Sequence, residues 1–189
     1  MTAEPVERLR KRDSAATRAA ILQAARRRFA SEPFEQVGVR DVAAEAGVDA
    51  ALIARYFGSK EDLFHAVVND CPQASEAWAG DRATFGRRAA EKVASKGGPD
   101  GAFEGIFIAL RSTASPRASE ISREAMKRHM LEPLAQWLGG DDAEVRARLL
   151  LAYFMGGVVS RAMAPEDNAT NQAMLDRLAE DMQRVVDGR

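Results

Sequence analysis

Side chains that could bind nucleic acid gather in the first third of the chain. Arg55 could donate two hydrogen bonds to guanine or neutralise a phosphate, and the sequence leaves both roles open. Arg40, Tyr56 and Lys60 carry donors of the kind that contact phosphate oxygens. Lys60 also stands at the predicted start of a helix, so its ammonium and the backbone N–H groups could converge on one phosphate. These side chains together predict DNA binding.

Two short helices over residues 38–57 are predicted to position these side chains. Apolar residues recur at helical spacing up to Gly47, which can take the left-handed conformation that ends a helix. A second helix follows, with Asp49 as its predicted N-cap. Its Ala50 and Ala51 could contact thymine methyls or let the backbone approach the groove closely. This pattern predicts a helix-turn-helix whose second helix enters the major groove. The residues predicted to pack inside it are Val42, Ala43, Ala46, Val48, Ile53, Phe29 and Phe57.

The remaining chain also predicts helices. Residues 1–13 are polar and basic and are expected to form a flexible arm, followed by a helix with Ser14 as its N-cap. Ser59 and Asp62 resemble a capping box before the fourth helix. Glycine and proline pairs separate further amphipathic segments, one of which is a longer helix from about Ile121 to Leu138. No stretch alternates with the period of a strand, so the predicted fold class is all-α.

Composition and missing motifs narrow the function. The net charge of −1 argues against non-specific coating of nucleic acid or membrane. No signal peptide and no apolar run of bilayer length are recognised, so a cytoplasmic protein is expected. Cys71 is interpreted as an inert thiol, and His65 and His129 have no neighbours of metal-ligand spacing. No catalytic or phosphate-loop motif occurs, so neither an enzyme, a metal nor a cofactor is expected.

Three motifs in order resemble the tetracycline-repressor (TetR) family. They are TRAAILQAA from Thr17, followed by Phe29; VRDVAAEAGV from Val39; and RYFGSKEDLF from Arg55. The resemblance covers about residues 15–75. It implies a DNA-binding domain there, a ligand-binding and dimerisation domain over residues 76–189, and an Ω-shaped homodimer. Most members are repressors that a small molecule releases from a palindromic operator.

The resemblance also assigns roles to residues. It implies phosphate contacts for Arg40, Tyr56 and Lys60, and base contacts for residues 49–52 and Arg55. The whole expected DNA-binding set is Gly38, Val39, Arg40, Asp49, Ala50, Ala51, Leu52, Arg55, Tyr56 and Lys60.

Two positions depart from the family pattern. Gly38 stands where the family usually has a Thr or Ser that caps the helix and touches phosphate, and Ala54 stands where it usually has a phosphate-binding Tyr. Both departures imply fewer backbone contacts or compensation by the basic arm. Asp49 would repel phosphate unless it caps the helix or accepts a hydrogen bond from cytosine.

The last two helices carry apolar stripes that could join two subunits. Two such helices from each subunit would form a four-helix interface, although both stripes could instead pack within one subunit. Paired glycines at 156 and 157 cost about 1 kcal/mol each relative to alanine, a cost that close helix packing would offset. The residues expected at a homodimer interface are Ala152, Gly156, Ser160, Met174, Leu178, Met182 and Val185.

An effector pocket is expected mainly from the family resemblance. Arg111, Arg123 or His129 could orient a ligand there, and a hydrophobic effector of unknown identity is preferred. The residues that could line the pocket, or could simply be core, are Phe103, Phe107, Met126, Met130, Trp137, Phe154 and Met155. Two alternatives to a ligand-responsive regulator stay open. One is a ligand-independent architectural DNA-binding protein, and the other is a small helical enzyme or partner-binding bundle.

Overall fold

The computed structural model describes residues 4–70, 80–95, 104–163 and 168–188, and every regular element in these ranges is a helix. This confirms the all-α prediction. The chain divides into two compact units: Met1–Cys71 with Glu104–Arg123, and Pro72–Phe103 with Glu124–Arg189. Within the described ranges, none of the helices has both the length and the apolar character needed to cross a bilayer.

The first unit holds the N-terminal helices and a segment from the middle of the chain. Its helices are α1 (Glu4–Ser31), α2 (Val39–Ala46), α3 (Ala50–Phe57), α4 (Lys60–Asn69), α6 (Glu104–Ser112) and most of α7 (Pro116–Met126), with a 3₁₀ turn at Phe34–Gln36.

Three aromatic rings form the centre of the first unit's core. The ring of Phe29 stacks on Phe34 at 5.7 Å, and Phe64 meets both edge-on at 4.9 and 5.2 Å. Ile108 and Ile121 join the same core from α6 and α7. Burial of these apolar side chains is the main force that holds the short helices α2 to α4 in place.

Helix α1 begins at Glu4, not at Ser14 as predicted. Residues 4–13 are therefore helical, and Ser14 lies inside the helix, where it cannot be the N-cap. Pro5 suggested an irregular arm, yet proline is well tolerated in the first turn of a helix because the N–H it lacks would have no partner there. The Glu, Leu, Arg and Lys residues that follow are good helix formers.

The turns around α3 follow the predicted local chemistry. Gly47 ends α2 with φ of 67°, the left-handed conformation that only glycine adopts at little cost. The Asp49 carboxylate accepts a hydrogen bond from the Ala51 N–H at 2.7 Å and so caps α3. Ser59 and Asp62 form a reciprocal capping box at the start of α4. All three predictions are confirmed.

The second unit is a set of packed helices with its own core. Its elements are a 3₁₀ turn at Arg82–Thr84, α5 (Phe85–Ala94), a π-helical turn at Lys127–Leu131, α8 (Glu132–Leu138), α9 (Ala143–Met163) and α10 (Asn168–Asp187). Leu134, Leu138, Leu150 and Met182 are among the buried side chains of this core.

The helix predicted from Ile121 to Leu138 contains a π-helical turn. Pro133, near the start of α8, has no N–H to donate to the carbonyl four residues earlier, so the regular α-helical pattern cannot continue through it. The predicted helix over residues 121–138 is therefore present, and the π-helical turn lies within it.

Two glycines allow the helices of the second unit to pack closely. A Cβ at Gly157 would lie 2.9 Å from Leu178 Cδ2 and 3.1 Å from Val93 Cγ1. A Cβ at Gly86 would collide with the Ala179 carbonyl oxygen. The cost of Gly86 in α5 and of Gly157 in α9 is therefore offset by close packing within the second unit.

Candidate nucleic-acid interface

An ion-pair cluster fixes α2 against α1 and thereby supports the helix-turn-helix. Glu45 of α2 accepts hydrogen bonds from Arg27 Nε and Arg28 Nε, each at 2.7 Å. Partial burial acts to raise the pKa of Glu45, but the hydrogen bonds and charges of the two arginines outweigh it, and the pKa lies below its ordinary value. Glu45 is therefore ionised at neutral pH and holds both guanidinium groups on the α1 side.

Arg40 and Arg55 are the two cationic side chains that remain exposed on α2 and α3. Neither is hydrogen-bonded or ion-paired to another described residue, in contrast to Arg26, Arg27 and Arg28 of α1. An unpaired guanidinium keeps all five N–H donors available for a phosphate or a base edge. These two predicted site residues are thus placed as a nucleic-acid contact requires.

Tyr56 lies half-buried at the end of α3. Its hydroxyl donates a hydrogen bond to Ser14 Oγ of α1 at 3.1 Å, and its ring packs against the core of the first unit. One turn further along α1, the guanidinium of Arg18 lies 5.0 Å from the centre of the Phe57 ring. Two consecutive turns of α1 therefore hold the C-terminal end of α3.

Lys60 is half-buried, and its side chain contacts other residues of the first unit. Its ammonium donates to the Glu35 carbonyl oxygen at 3.3 Å and lies 4.5 Å from the centre of the Phe34 ring. Those contacts compete with the predicted phosphate contact, because the side chain would have to leave them or share its donors. The N–H of Asp62 is also occupied, by Ser59 Oγ at 3.0 Å.

The other predicted contact residues divide by exposure. Asp49 and Ala51 are exposed, and the Asp49 carboxylate is engaged as the cap of α3, which was one of the two roles left open for it. The residues that lie half-buried are Gly38, Val39, Ala50 and Leu52.

Gly38 is the N-cap of α2 and offers no side chain to that helix. Asp41, at the third position of α2, fills the space instead: a Cβ at Gly38 would collide with the Asp41 carboxylate. Because the far end of a side chain can move, this position can accept a serine. Ala54, the other departure from the family pattern, is exposed on α3.

Sequence reasoning missed the side chains of α1 that hold α3. Ser14 and Arg18 are four residues apart and so share a helix face, which is a detectable signal. The prediction of Ser14 as an N-cap conceals this signal, because a cap lies outside the helix and so belongs to none of its faces.

Two family profiles match the chain. One, described as bacterial regulatory proteins of the tetR family, matches residues 21–67. The other, described as a tetracyclin repressor-like C-terminal domain, matches residues 83–186. The chain belongs to the tetR family. The family consists of DNA-binding transcriptional regulators, and the resemblance stated from the sequence motifs is thereby confirmed.

Solved structures of other regulators share this tetR-family fold. NalD, the secondary repressor of the MexAB-OprM multidrug efflux pump in Pseudomonas aeruginosa, matches with TM-score 0.63 and 19% identity over 92% of this chain and 97% of that chain. A putative transcriptional regulator from Saccharomonospora viridis, solved in complex with choline, matches with TM-score 0.62 and 20% identity over 88% and 95%. A putative tetR-family regulator from Mesorhizobium loti matches with TM-score 0.59 and 16% identity over 93% and 95%. A comparison with curated proteins gave no match.

The predicted pocket residues of this tetR-family chain are distributed over both units. Phe103 lies outside the described residues, and Phe107 belongs to the first unit. In the second unit, the ring centres of Trp137 and Phe85 lie 5.4 Å apart, and the Arg82 guanidinium lies 5.0 Å from the centre of the Trp137 ring. These two neighbours therefore cover much of the indole surface. Trp137 is half-buried, and so are the other predicted lining residues of the second unit, Met126, Met130, Phe154 and Met155.

The polar groups named for the pocket also have positions in the structure. Arg111 Nε donates to the Ala30 carbonyl oxygen at 2.7 Å, so it fastens α6 to the C-terminal end of α1. Arg123 is exposed at the end of the first unit, and His129 is half-buried in the π-helical turn. A role in ligand binding stays a prediction for all three.

The predicted dimer residues fall into two groups. Ala152, Gly156 and Ser160 are exposed on α9, as an interface requires. Met182 of α10 is 1% exposed and belongs to the core of its own subunit, so it has no surface to give to a partner. The residues of α10 that are half-buried are Met174, Leu178 and Val185.

Proposed function

We propose that this chain is a homodimeric repressor that a small hydrophobic molecule releases from a palindromic operator. The observation that carries the proposal is the pair of unpaired, exposed arginines, Arg40 and Arg55, on a braced helix-turn-helix. A helix of this size fits the major groove, and two heads related by a twofold axis read a palindromic site. The similarity to NalD, which is a repressor, supports repression as the direction of regulation.

An apolar stripe on α9 supports the homodimer. Large hydrophobic side chains are exposed along one face: Val145 is 60% exposed, Leu149 45%, Tyr153 37% and Met163 81%. Single exposed apolar residues are common, but a row of them along one helix marks a protein contact surface. We name this row, together with Ala152, Gly156 and Ser160, the α9 stripe.

Gly156 lies within the α9 stripe and supports the same conclusion. A Cβ built there would meet nothing within 4 Å, so packing inside the subunit gives no reason for glycine. Its neighbour Gly157 has such a reason in Leu178 and Val93. Because an exposed glycine costs a helix about 1 kcal/mol relative to alanine, a second helix that approaches closely at Gly156 would offset that cost.

The effector is proposed to be small and largely apolar. Met126, Met130, Phe154 and Met155 are half-buried in the second unit and could supply apolar lining, and flexible methionines adapt to ligands of different shape. Within the residues that the structure describes, no cluster of His, Cys, Asp or Glu could hold a metal ion.

The test is direct binding to DNA. The wild-type chain selects duplexes from a randomised double-stranded library, and the affinity of the best duplex is then measured by fluorescence anisotropy at several salt concentrations. We expect the selected site to be palindromic. Its affinity should fall with increasing salt concentration, because the protein contacts phosphates. Arg55→Ala should lower the affinity by about tenfold or more. Arg87→Ala removes the same charge from an exposed position of α5 and should bind like the wild type. Failure to enrich any sequence would refute the proposal.

A screen of thermal stability against lipophilic compounds then tests release. A compound that raises the unfolding temperature should also weaken DNA binding, because it must favour the state that does not bind the operator. Specific operator binding with no response to any compound would support a ligand-independent DNA-binding protein instead.

A further inference from the structure

We propose that Ser14 is a positioning residue that relays a hydrogen bond through Tyr56 to an operator phosphate. This inference rests on the proposed function, since it requires that α3 sits against DNA. The juxtaposition that carries it is the contact between Ser14 Oγ of α1 and the Tyr56 hydroxyl of α3, at 3.1 Å across 42 positions of sequence.

The ring of Tyr56 is held by packing, and its hydroxyl is the polar atom of the side chain that can exchange one partner for another. The ring is half-buried against the core of the first unit and lies 6.5 Å from the Phe57 ring, which is itself covered by Arg18. Ser14 is exposed, and so is Arg55 beside Tyr56. The hydroxyl therefore contacts an exposed residue of α1 and belongs to the residue that follows Arg55 in α3.

The role open to Ser14 follows from the number of hydrogens that each hydroxyl can donate. A hydroxyl has one hydrogen to donate and lone pairs to accept, and a phosphate oxygen only accepts. In the free protein Tyr56 donates to Ser14 Oγ. To bind a phosphate, Tyr56 must turn that hydrogen away from Ser14. Ser14 can then donate its own hydrogen to the Tyr56 oxygen, so the contact between the two helices is kept with its direction reversed.

The reversed arrangement favours binding in two ways. The hydroxyl of Tyr56 is held in place by the hydrogen bond that it keeps with Ser14, which lowers the cost of ordering it on the DNA. A donor that is itself hydrogen-bonded is also polarised, so consecutive hydrogen bonds strengthen one another. An alanine at position 14 would remove both effects without touching the phosphate.

The experiment is a double-mutant cycle on binding to the duplex that the wild type selects from the randomised library. The variants are Ser14→Ala, Tyr56→Phe and the combination of both. We expect a loss of about fivefold for Ser14→Ala and about tenfold for Tyr56→Phe. The double variant should bind within about twofold of Tyr56→Phe, because Ser14 acts only through the Tyr56 hydroxyl.

Two further variants separate positioning from folding. Ser14→Thr keeps a hydroxyl and should restore binding to within about twofold of wild type. Ser31→Ala removes an exposed serine from the other end of α1 and should leave the affinity unchanged. Thermal unfolding of each variant is measured as well, to check that the protein is folded at the temperature of the binding measurement.

The outcomes distinguish the inference from the function beneath it. If wild type selects a duplex but the losses of Ser14→Ala and Tyr56→Phe multiply in the double variant, the relay is refuted while the proposed function stands. The same holds if Ser14→Ala binds like wild type. If the wild type selects no duplex, the proposed function fails and the relay fails with it.

Discussion

The exposed faces of α3 and α9 differ in the kind of side chain that they leave without a partner. On α3 the unpaired group is the guanidinium of Arg55, set among small residues such as Ala51 and Ala54. On α9 the uncovered groups are apolar, from Val145 to Met163. By contrast, Glu45 is ion-paired with Arg27 and Arg28 in the first unit, and Gly157 is closely packed in the second.

This difference indicates two unlike partners. A guanidinium loses little by staying in water and gains most from a phosphate or guanine, whereas exposed leucine and tyrosine gain from burial against another apolar surface. An exposed guanidinium is therefore suited to binding nucleic acid, and an exposed apolar row is suited to binding protein. Substitutions in either face, or in the support beneath it, should therefore have effects of different size.

The largest effect is expected from a charge in the α9 stripe. Leu149→Glu should convert dimer to monomer and weaken operator binding by at least about a hundredfold, because two linked heads bind far more tightly than one. Molar mass from light scattering and DNA anisotropy are the two measurements. Gln136→Glu places the same charge on an exposed position of α8 and should remain dimeric. A Leu149→Glu protein that stays dimeric would remove α9 from the interface.

Substitutions on the DNA face should be next in size. Arg40→Ala and Arg55→Ala should each weaken binding by about 1–3 kcal/mol. If Arg40 binds a phosphate, its removal should weaken binding to all sequences alike and reduce the salt slope. If Arg55 binds a base, its removal should relax selectivity at one position of the site. Anisotropy on a set of singly substituted duplexes separates the two cases, and identical behaviour of both variants would assign Arg55 to phosphate.

The support beneath the DNA face should contribute about as much as one good ion pair. Glu45→Gln leaves Arg27 and Arg28 without their shared carboxylate and should lower the free energy of unfolding by about 1 kcal/mol, since the pair is only partly buried. Urea unfolding measures the loss. Glu35→Gln, at an exposed site in the same unit, should change stability little. Equal stability of both variants would show that the cluster is dispensable.

Acid should weaken the first unit through two carboxylates. Hydrogen bonds from Ser59 lower the pKa of Asp62, and the two arginines lower that of Glu45. A carboxyl whose pKa is lower in the folded state stabilises the fold above its unfolded pKa and loses that contribution as the pH falls through the folded pKa. Stability should therefore fall below about pH 4. Urea unfolding across this range should show a shallower fall in Glu45→Gln, and an unchanged slope would contradict the assignment.

The smallest effect is expected at the start of α2. Gly38→Ser supplies the missing cap and should stabilise the protein by a few tenths of a kcal/mol, once the Asp41 carboxylate moves aside. The hydroxyl also restores the phosphate contact that the family pattern implies there, so operator affinity should rise by about twofold. Gly38→Ala has no cap to offer and is the matched control. A gain shared by both variants would point to chain stiffness instead.

Local chemistry is where sequence reasoning succeeded. Gly47, Asp49 and the Ser59–Asp62 pair were predicted because a turn or cap depends on residues within about three positions of one another. The all-α class followed from periodicity for the same reason. Each of these features can be deduced from a short window of sequence.

Contacts between residues far apart in the sequence cannot be deduced from such a short window. Ser14 meets Tyr56 from 42 positions away, and Lys60 turns to Phe34 and Glu35 instead of outward. The periodicity of α10 identifies an apolar stripe but not the surface against which it packs. The sequence therefore predicts Met182 at a dimer interface, whereas it lies in the core of the second unit. Periodicity reveals that a face is apolar and leaves its partner to the tertiary fold.

The two capped ends of α3 have a consequence for calorimetry. The Asp49 carboxylate fixes the first turn, and the Gly58 N–H donates to the Ala54 carbonyl oxygen at 2.9 Å to close the last. The helix that is proposed to enter the groove is thus formed before DNA arrives. Binding then includes no folding of this segment, and its heat-capacity change should reflect only the surface that protein and DNA bury between them.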